Sequence, residues 1–160
     1  MSFKSIIVRY LQSYHSMITI KKHALVFHNR EKMFNLVDQV EDYPDFLPWC
    51  SDTIVNKRTE KITEATIFIN YHNVKQSFTT ENVKIFPEKM NINLIDGPFK
   101  KLKGEWRFIE MQNNTCKIEF ELQYEFSNYI LEKLISPVFN MIANTFIDNF
   151  VAKANKDSNV

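Results

Sequence analysis

The chain has 160 residues, of which 44% are hydrophobic, and this is enough apolar material for one domain with a sizeable core. The composition excludes an intrinsically disordered chain, and the formal net charge of +1 argues against a DNA-binding protein or a general nucleic-acid binder. Because Cys50 and Cys116 lack ligand spacing to each other or to any His, the sequence predicts two reduced thiols and no metal site.

Residues 1–16 form a basic extension, and no acidic residue occurs before Glu31. Residues 2–16 (SFKSIIVRYLQSYHS) are hydroxyl-rich and roughly amphipathic, which is typical of a short mitochondrial presequence. A membrane-surface helix or a plain extension fits the same residues. The chain has no secretory signal, and no continuous apolar run approaches the roughly 20 residues that span a bilayer.

Residues 17–27 are predicted to form a first strand, with a bulge at Lys21 and Lys22 where the alternation of apolar and polar positions fails. Asn29 is a candidate cap for a short helix that should end near Val40. Pro44 then interrupts the helical pattern, because a proline disfavours helical geometry in the residue before it.

Six more strands follow. They are predicted at residues 54–59, 63–71, 75–86, 89–95, 101–109 and 115–126. In the last two, apolar and charged residues alternate so regularly that one sheet face must be dry and the other wet. Gly104 interrupts the inward face of its strand, which favours a bulge there.

Residues 129–153 show helical periodicity with a broad apolar arc. The arc contains Leu131, Leu134, Ile135, Val138, Met141, Ile142 and Phe146. Pro137 predicts a fresh helix start or a kink, and residues 155–160 read as a disordered tail. The predicted fold is therefore α+β: one domain, residues 17–154, with a curved antiparallel sheet of six or seven strands around a long C-terminal helix.

No catalytic constellation stands out. With two glycines there is no phosphate-binding loop, and the nearest candidates for chemistry are the carboxylates of Asp42 and Asp45 and the thiol of Cys50. A turn-capping role for the carboxylates and a structural role for the thiol are the simpler interpretations, so the sequence predicts a protein that is not an enzyme.

Two segments carry a resemblance to a known family. Residues 36–50 (LVDQVEDYPDFLPWC) and 97–108 (GPFKKLKGEWRF) resemble hallmark segments of the coenzyme Q-binding START-like family, whose bacterial members are known as ribosome association toxins. Residues 131–150 resemble the closing helix of that family, and the similarity covers roughly residues 18–151.

The resemblance implies the helix-grip (START-like, SRPBCC) fold and a hydrophobic tunnel that binds ubiquinone or a similar isoprenoid lipid, without a covalent cofactor. The residues expected to line the tunnel are Phe34, Tyr43, Phe46, Leu47, Trp49, Leu102, Trp106, Phe108, Leu131, Leu134, Val138 and Ile142. Tyr71, Tyr124 and Trp106 are candidate donors to the quinone carbonyls. A respiratory quinone chaperone is the leading prediction.

Two other functions fit the same resemblance. A ribosome-binding inhibitor of subunit association would use Lys21, Lys22 and the Lys100–Lys103 turn on phosphates, and a polyketide cyclase-like enzyme would share the fold. Peripheral membrane contact is expected of a quinone carrier. The expected location is the cytoplasm or inner membrane surface of a bacterium, or the matrix face of the mitochondrial inner membrane in a eukaryote.

Overall fold

A computed structural model describes residues 17–158, so the predicted N-terminal extension lies outside the described residues, as do positions 159 and 160. Within this part, seven strands and three α-helices follow one another. The strands are β1 (Ile18–Val26), β2 (Cys50–Arg58), β3 (Ile62–Tyr71), β4 (Val74–Ile85), β5 (Lys89–Asp96), β6 (Phe99–Glu110) and β7 (Cys116–Phe126). The helices are α1 (Arg30–Asp38), α2 (Tyr43–Phe46) and α3 (Tyr129–Ser158).

The strands form one antiparallel sheet in the order β1-β7-β6-β5-β4-β3-β2, with α3 along its inner face. Only β1 departs from a simple meander, because it pairs with the last strand. This arrangement confirms the predicted α+β fold of a curved sheet around a long C-terminal helix.

Two predicted bulges are wrong. β1 pairs with β7 without a register shift from Ile18 to Val26, so the lysine pair leaves the ladder intact. Gly104 also lies in regular register, and a Cβ there would come within 3.1 Å of Leu122 Cδ1 and 3.2 Å of Ile92 Cδ1. The glycine therefore makes room for close packing. The register of β6 against β7 shifts earlier, between Phe99 and Lys101.

The link after β1 agrees with the capping chemistry of its residues. Asn29 caps α1 by accepting a 2.8 Å hydrogen bond from the Lys32 backbone N–H. The helix ends at Asp38, two residues before the predicted end, and a 3₁₀ turn spans Val40–Asp42. Pro44 lies at the start of α2, where a missing N–H costs no intrahelical hydrogen bond.

α3 is one continuous helix through Pro137, so the predicted fresh helix start at this residue is wrong. Pro137 lies on the exposed side, where the carbonyl that loses its partner can bind water. The predicted disordered tail is also helical as far as Ser158. Its docking explains this: His28 Nε2 lies 2.8 Å from Asn155 Oδ1, and Lys32 Nζ donates to the Ala154 carbonyl at 3.1 Å.

α3 is long enough and apolar enough in composition to cross a membrane. The sequence pattern does not indicate this, because α3 contains no continuous apolar run of that length. Its inner side nevertheless packs on the sheet, with Ile135, Phe139, Ile142 and Phe150 among its buried residues. The core therefore lies between α3 and the inner face of the sheet. Cys50 and Cys116 are free and buried, as the sequence predicts.

Candidate functional site

An apolar cavity of about 60 Å³ lies between α3 and the inner face of the sheet. Five of the twelve predicted tunnel residues lie in its wall, namely Tyr43, Trp49, Leu102, Trp106 and Ile142. The other wall residues are Val37, Val40, Ala65, Ile67, Phe78, Thr80, Asn82, Ile92, Phe120, Leu122, Phe139, Ala143 and Phe146. The helices after β1, the five strands β3 to β7 and α3 all contribute to this wall.

Aromatic rings keep the cavity small. The Phe146 ring lies 5.4 Å from Phe120, 5.6 Å from Trp106 and 6.0 Å from Trp49, measured between centroids. A ligand of drug size needs about 300–1,000 Å³, so it must displace rings such as Phe146.

One part of the wall is polar. Thr80 donates from Oγ1 to Asn82 Oδ1 at 3.1 Å, and both residues are buried on the inner face of β4. Trp49 is 1% exposed, and its indole Nε1 has no hydrogen-bond partner within the described residues. A buried N–H without an acceptor costs about 1–3 kcal/mol, so Trp49, a residue of the cavity wall, carries an unsatisfied buried donor.

A charged cluster lies beyond the polar part of the wall. Lys84, buried next to Asn82 along β4, places Nζ 2.9 Å from Asp38 Oδ2, and Thr63 donates to Asp38 Oδ1 at 2.7 Å. Arg58 donates to the Asp38 carbonyl at 2.7 Å and forms a two-pronged hydrogen bond with Glu41. The hydrogen bond from Arg58 lowers the pKa of Glu41 below its usual value. The cluster joins the end of α1 to three strands.

The remaining predicted tunnel residues lie elsewhere. Phe34, Leu47, Phe108 and Val138 are buried in the core outside the cavity wall, whereas Phe46 and Leu131 are half-buried at its edge. Leu134 faces outward with 64% of its surface exposed. Leu134 was assigned to the predicted apolar arc of this helix from helical spacing alone. Helical spacing does not show how far the sheet extends under the helix.

The expected tunnel residues include none of the six wall residues on β3, β4 and β5. Ala65 and Ile67 lie on a strand whose apolar residues alternate regularly, and this pattern could have indicated that they face inward. Phe78, Thr80 and Asn82 lie on a strand with no clear apolar period. Among the predicted head-group donors, Tyr124 already donates to Asn140 Oδ1. Burial raises the pKa of this phenol to about 12.

The groups considered for chemistry are poorly placed for it. Burial raises the pKa of Cys50 to about 12 and that of Cys116 to about 11, so both thiols stay protonated at neutral pH. Asp42 and Asp45 do not line the cavity. Between Met17 and Ser158, no group of three or more His, Cys, Asp or Glu side chains could hold a metal ion.

Comparisons with known proteins show the family and the fold to which this architecture belongs. The family model described as polyketide cyclase / dehydrase and lipid transport matches residues 26–151. The chain is 35% identical over 135 residues to the ribosome association toxin RatA of Escherichia coli K12, covering 84% of this chain and 85% of the toxin. It is 25% identical over 130 residues to the mitochondrial coenzyme Q-binding protein COQ10 homolog B of Xenopus laevis, covering 79% of this chain and 53% of that protein.

Among solved structures, the Zhui aromatase/cyclase from a Streptomyces species superposes with a TM-score of 0.77. The alignment covers 88% of this chain and 95% of the cyclase at 9% identity, so the likeness concerns the fold alone. The family match and the 35% identity go further than fold. The chain belongs to the START-like family of polyketide cyclases, dehydrases and lipid transport proteins.

Proposed function

We propose that this protein binds ubiquinone, or a related isoprenoid quinone, in the cavity between α3 and the sheet and acts as a carrier that catalyses no reaction. The observation that carries the proposal is that Trp49, a residue of this largely apolar wall, has a buried Nε1–H without a hydrogen-bond partner among the described residues. A quinone carbonyl is a neutral acceptor that would satisfy this donor without bringing a charge into the core.

The polar part of the wall offers a second donor for the head group. Asn82 uses its side-chain oxygen to accept the Thr80 hydroxyl, which leaves its amide group for another carbonyl. The rest of the wall is aliphatic or aromatic and suits an isoprenoid tail. The site thus combines a few polar groups with a large apolar surface, as small-molecule sites commonly do.

Binding requires the cavity to widen, and its walls can yield. Contacts between aromatic rings, such as those that Phe146 makes, contribute about 0.5–1.5 kcal/mol of stability per pair beyond the burial of their apolar area. An isoprenoid tail regains about 0.8 kcal/mol for each CH₂ that it buries. A few isoprene units therefore offset the loss of several ring contacts, and the same rings can pack against the tail.

The test is mass spectrometry of organic extracts from the purified protein, followed by uptake of added ubiquinone. We expect near-stoichiometric quinone in the wild type. Trp49→Phe keeps an aromatic side chain but removes the N–H and the second ring of the indole, and we expect quinone affinity to fall at least about tenfold because one hydrogen bond and part of the packing area are lost. Tyr124→Phe is the matched control, since its hydroxyl is engaged by Asn140 outside the cavity wall. No extracted quinone together with no uptake overturns the proposal.

Ribosome binding is the second candidate, and the 35% identity to a protein named ribosome association toxin favours it. The charges of the described surface favour it less. Lys21 lies 3.7 Å from Glu121 and Lys100 lies 3.7 Å from Glu125, so two of the lysines expected on phosphates already have acidic partners. Co-sedimentation with ribosomal subunits at increasing salt decides between the candidates. Binding that weakens steeply with salt supports this function, because released counterions dominate such affinity.

A further inference from the structure

The outer side of α3 carries an apolar stripe that the described residues leave uncovered. Ile130 is 70% exposed and Leu134 64%, Pro137 is exposed one turn further on, and Met141 is half-buried. These residues follow one another at intervals of four, three and four, which is the spacing of one helix face. We call Ile130, Leu134, Pro137 and Met141 the outer stripe. It covers about three turns, or about 17 Å of helix.

The outer stripe makes α3 more apolar than its packing on the sheet requires. Only 33% of the most apolar 18-residue stretch of α3 is buried. The inner side of the same turns meets the sheet through Ile135 and Phe139. Beyond Met141 the outer face is polar, since Asn144 and Asp148 follow at the same spacing. The apolar surplus is thus confined to the early turns of α3, and one further amphipathic helix would bury it.

The described chain begins beside the outer stripe. β1 starts at Ile18, which pairs with Tyr124, and the Tyr124 hydroxyl donates to Asn140 on α3. Asn140 directly precedes Met141, the last residue of the outer stripe. Residues 1–16 lie outside the described part of the chain and join it at this point. The N-terminal segment therefore enters the fold next to an apolar surface that lacks a cover among the described residues.

The direction of the chain leads this segment along the outer stripe. Ile18 lies near Asn140, and at the other end of β1 His28 Nε2 lies 2.8 Å from Asn155 Oδ1, so β1 and α3 run the same way. Continued backwards from β1, the chain points toward the early turns of α3. Because β1 is an edge strand, positions 15–17 need only step around the side of α3, and they span about 10 Å when extended, about one helix diameter.

Residues 1–16 match the outer stripe in period and in length. Phe3, Ile7, Tyr10 and Tyr14 recur at intervals of four, three and four, and both sets of residues extend over the same number of positions. Helical geometry would place these four side chains on one face. Two apolar stripes of equal period and length suit a pair of roughly parallel helices, each of which buries the stripe of the other.

The charges permit this contact. Lys4 and Arg9 make the N-terminal segment basic, and it contains no acidic residue. The acidic residue in the first turn of α3 is Glu132, while Lys133 places Nζ 5.1 Å from the centre of the Tyr129 ring. The start of α3 thus has no excess of positive charge that would repel a basic segment, and burial of the two stripes supplies the main attraction.

We propose that residues 3–14 form an amphipathic helix that packs along the outer stripe, roughly parallel to α3, and removes it from water. The occupant of this face is therefore the N-terminal segment of the same chain. The inference does not depend on the proposed function, because the contact forms with or without a quinone in the cavity.

The test measures how fast a thiol reagent reacts at the outer stripe of the full chain. Leu134→Cys supplies the reactive position, and the background is low because Cys50 and Cys116 are buried and have raised pKa values. Ile7→Glu/Leu11→Glu, added to Leu134→Cys, places two charges on the apolar face of the segment. We expect it to raise the labelling rate at least about tenfold, because protection follows the population of the docked form.

Ser5→Glu/Gln12→Glu is the matched control, since it adds the same charge to the opposite face of the segment. We expect Leu134→Cys to label as slowly in this variant as with an unchanged segment. Leu25→Cys gives the rate of an uncovered thiol, because Leu25 is 60% exposed at the far end of β1. Its labelling should be fast and equal with all three segments.

Several results would overturn the inference. One is labelling of Leu134→Cys as fast as that of Leu25→Cys when the segment is unchanged. Another is slow labelling that neither pair of glutamates changes, or that both pairs accelerate equally. Protection that is lost on dilution assigns the outer stripe to a second copy, and protection that appears only with phosphatidylcholine vesicles assigns it to a membrane. A cooperative thermal transition in each variant shows that it is folded.

Discussion

The two sheet walls of the cavity differ in character. On β6 and β7 the inward residues are apolar throughout, and Leu102, Trp106 and Phe120 face the cavity. On β4 the inward residues Thr80 and Asn82 are polar, and Lys84 beyond them is charged. The comparison shows that one sheet provides both a dry apolar surface and buried hydrogen-bonding groups a few strands apart, the combination that the proposed quinone site needs.

The dry wall should tolerate truncation least. We expect Trp106→Ala to lower the free energy of unfolding by about 3–5 kcal/mol, because Trp106 is 1% exposed and its ring packs on Phe120, Phe146 and Phe150. Ile109→Ala, on the outer face of the same strand, should change it by less than about 1 kcal/mol. Urea denaturation measures both. Equal losses would contradict the picture of a dry inner wall.

The polar wall should respond asymmetrically to loss of its ion pair. Asp38→Ala leaves the Lys84 ammonium buried without its carboxylate, and we expect a loss of about 3 kcal/mol. Lys84→Met leaves Asp38 with Thr63 and Arg58 and should cost about 1 kcal/mol. The same denaturation experiment compares them. If Lys84→Met lowers the free energy of unfolding more than Asp38→Ala does, an unpaired buried Lys84 ammonium is not the reason that the ion pair stabilises the protein.

The rim of the polar wall should contribute least, and its contribution depends on pH. Because Arg58 lowers the pKa of Glu41 in the folded chain, this pair stabilises the protein above the ordinary glutamate pKa of 4.5 and loses that effect as the pH falls below it. The pair is partly exposed, so Glu41→Gln should cost only about 0.2–1 kcal/mol at pH 7. The difference from wild type should shrink as the pH falls below 4.5. A difference independent of pH would exclude the charge as its cause.

The strand pattern predicted β6 and β7 well because their residues alternate strictly between one dry and one wet face. It also predicted the bounds of β4 to within one residue, but not which of its residues face the cavity, since an inward face that includes Thr80, Asn82 and Lys84 has no apolar period. Leu134 and Trp106 illustrate the same limit for the site. Both follow their local period, yet Trp106 lines the cavity and Leu134 faces water, because the extent of the partner surface is not encoded in the period of either element.

The sequence by itself therefore determined the element order, the dry faces of the late strands, the cap at Asn29 and the family. These depend on local periodicity, capping chemistry and motif, which are written along the chain. The tertiary structure decided which residues surround the cavity, that the Trp49 N–H has no partner between Met17 and Ser158, and that Ile130 and Leu134 are exposed. Such properties arise only when distant elements meet, since burial and hydrogen-bond satisfaction depend on neighbours that are far away in the sequence.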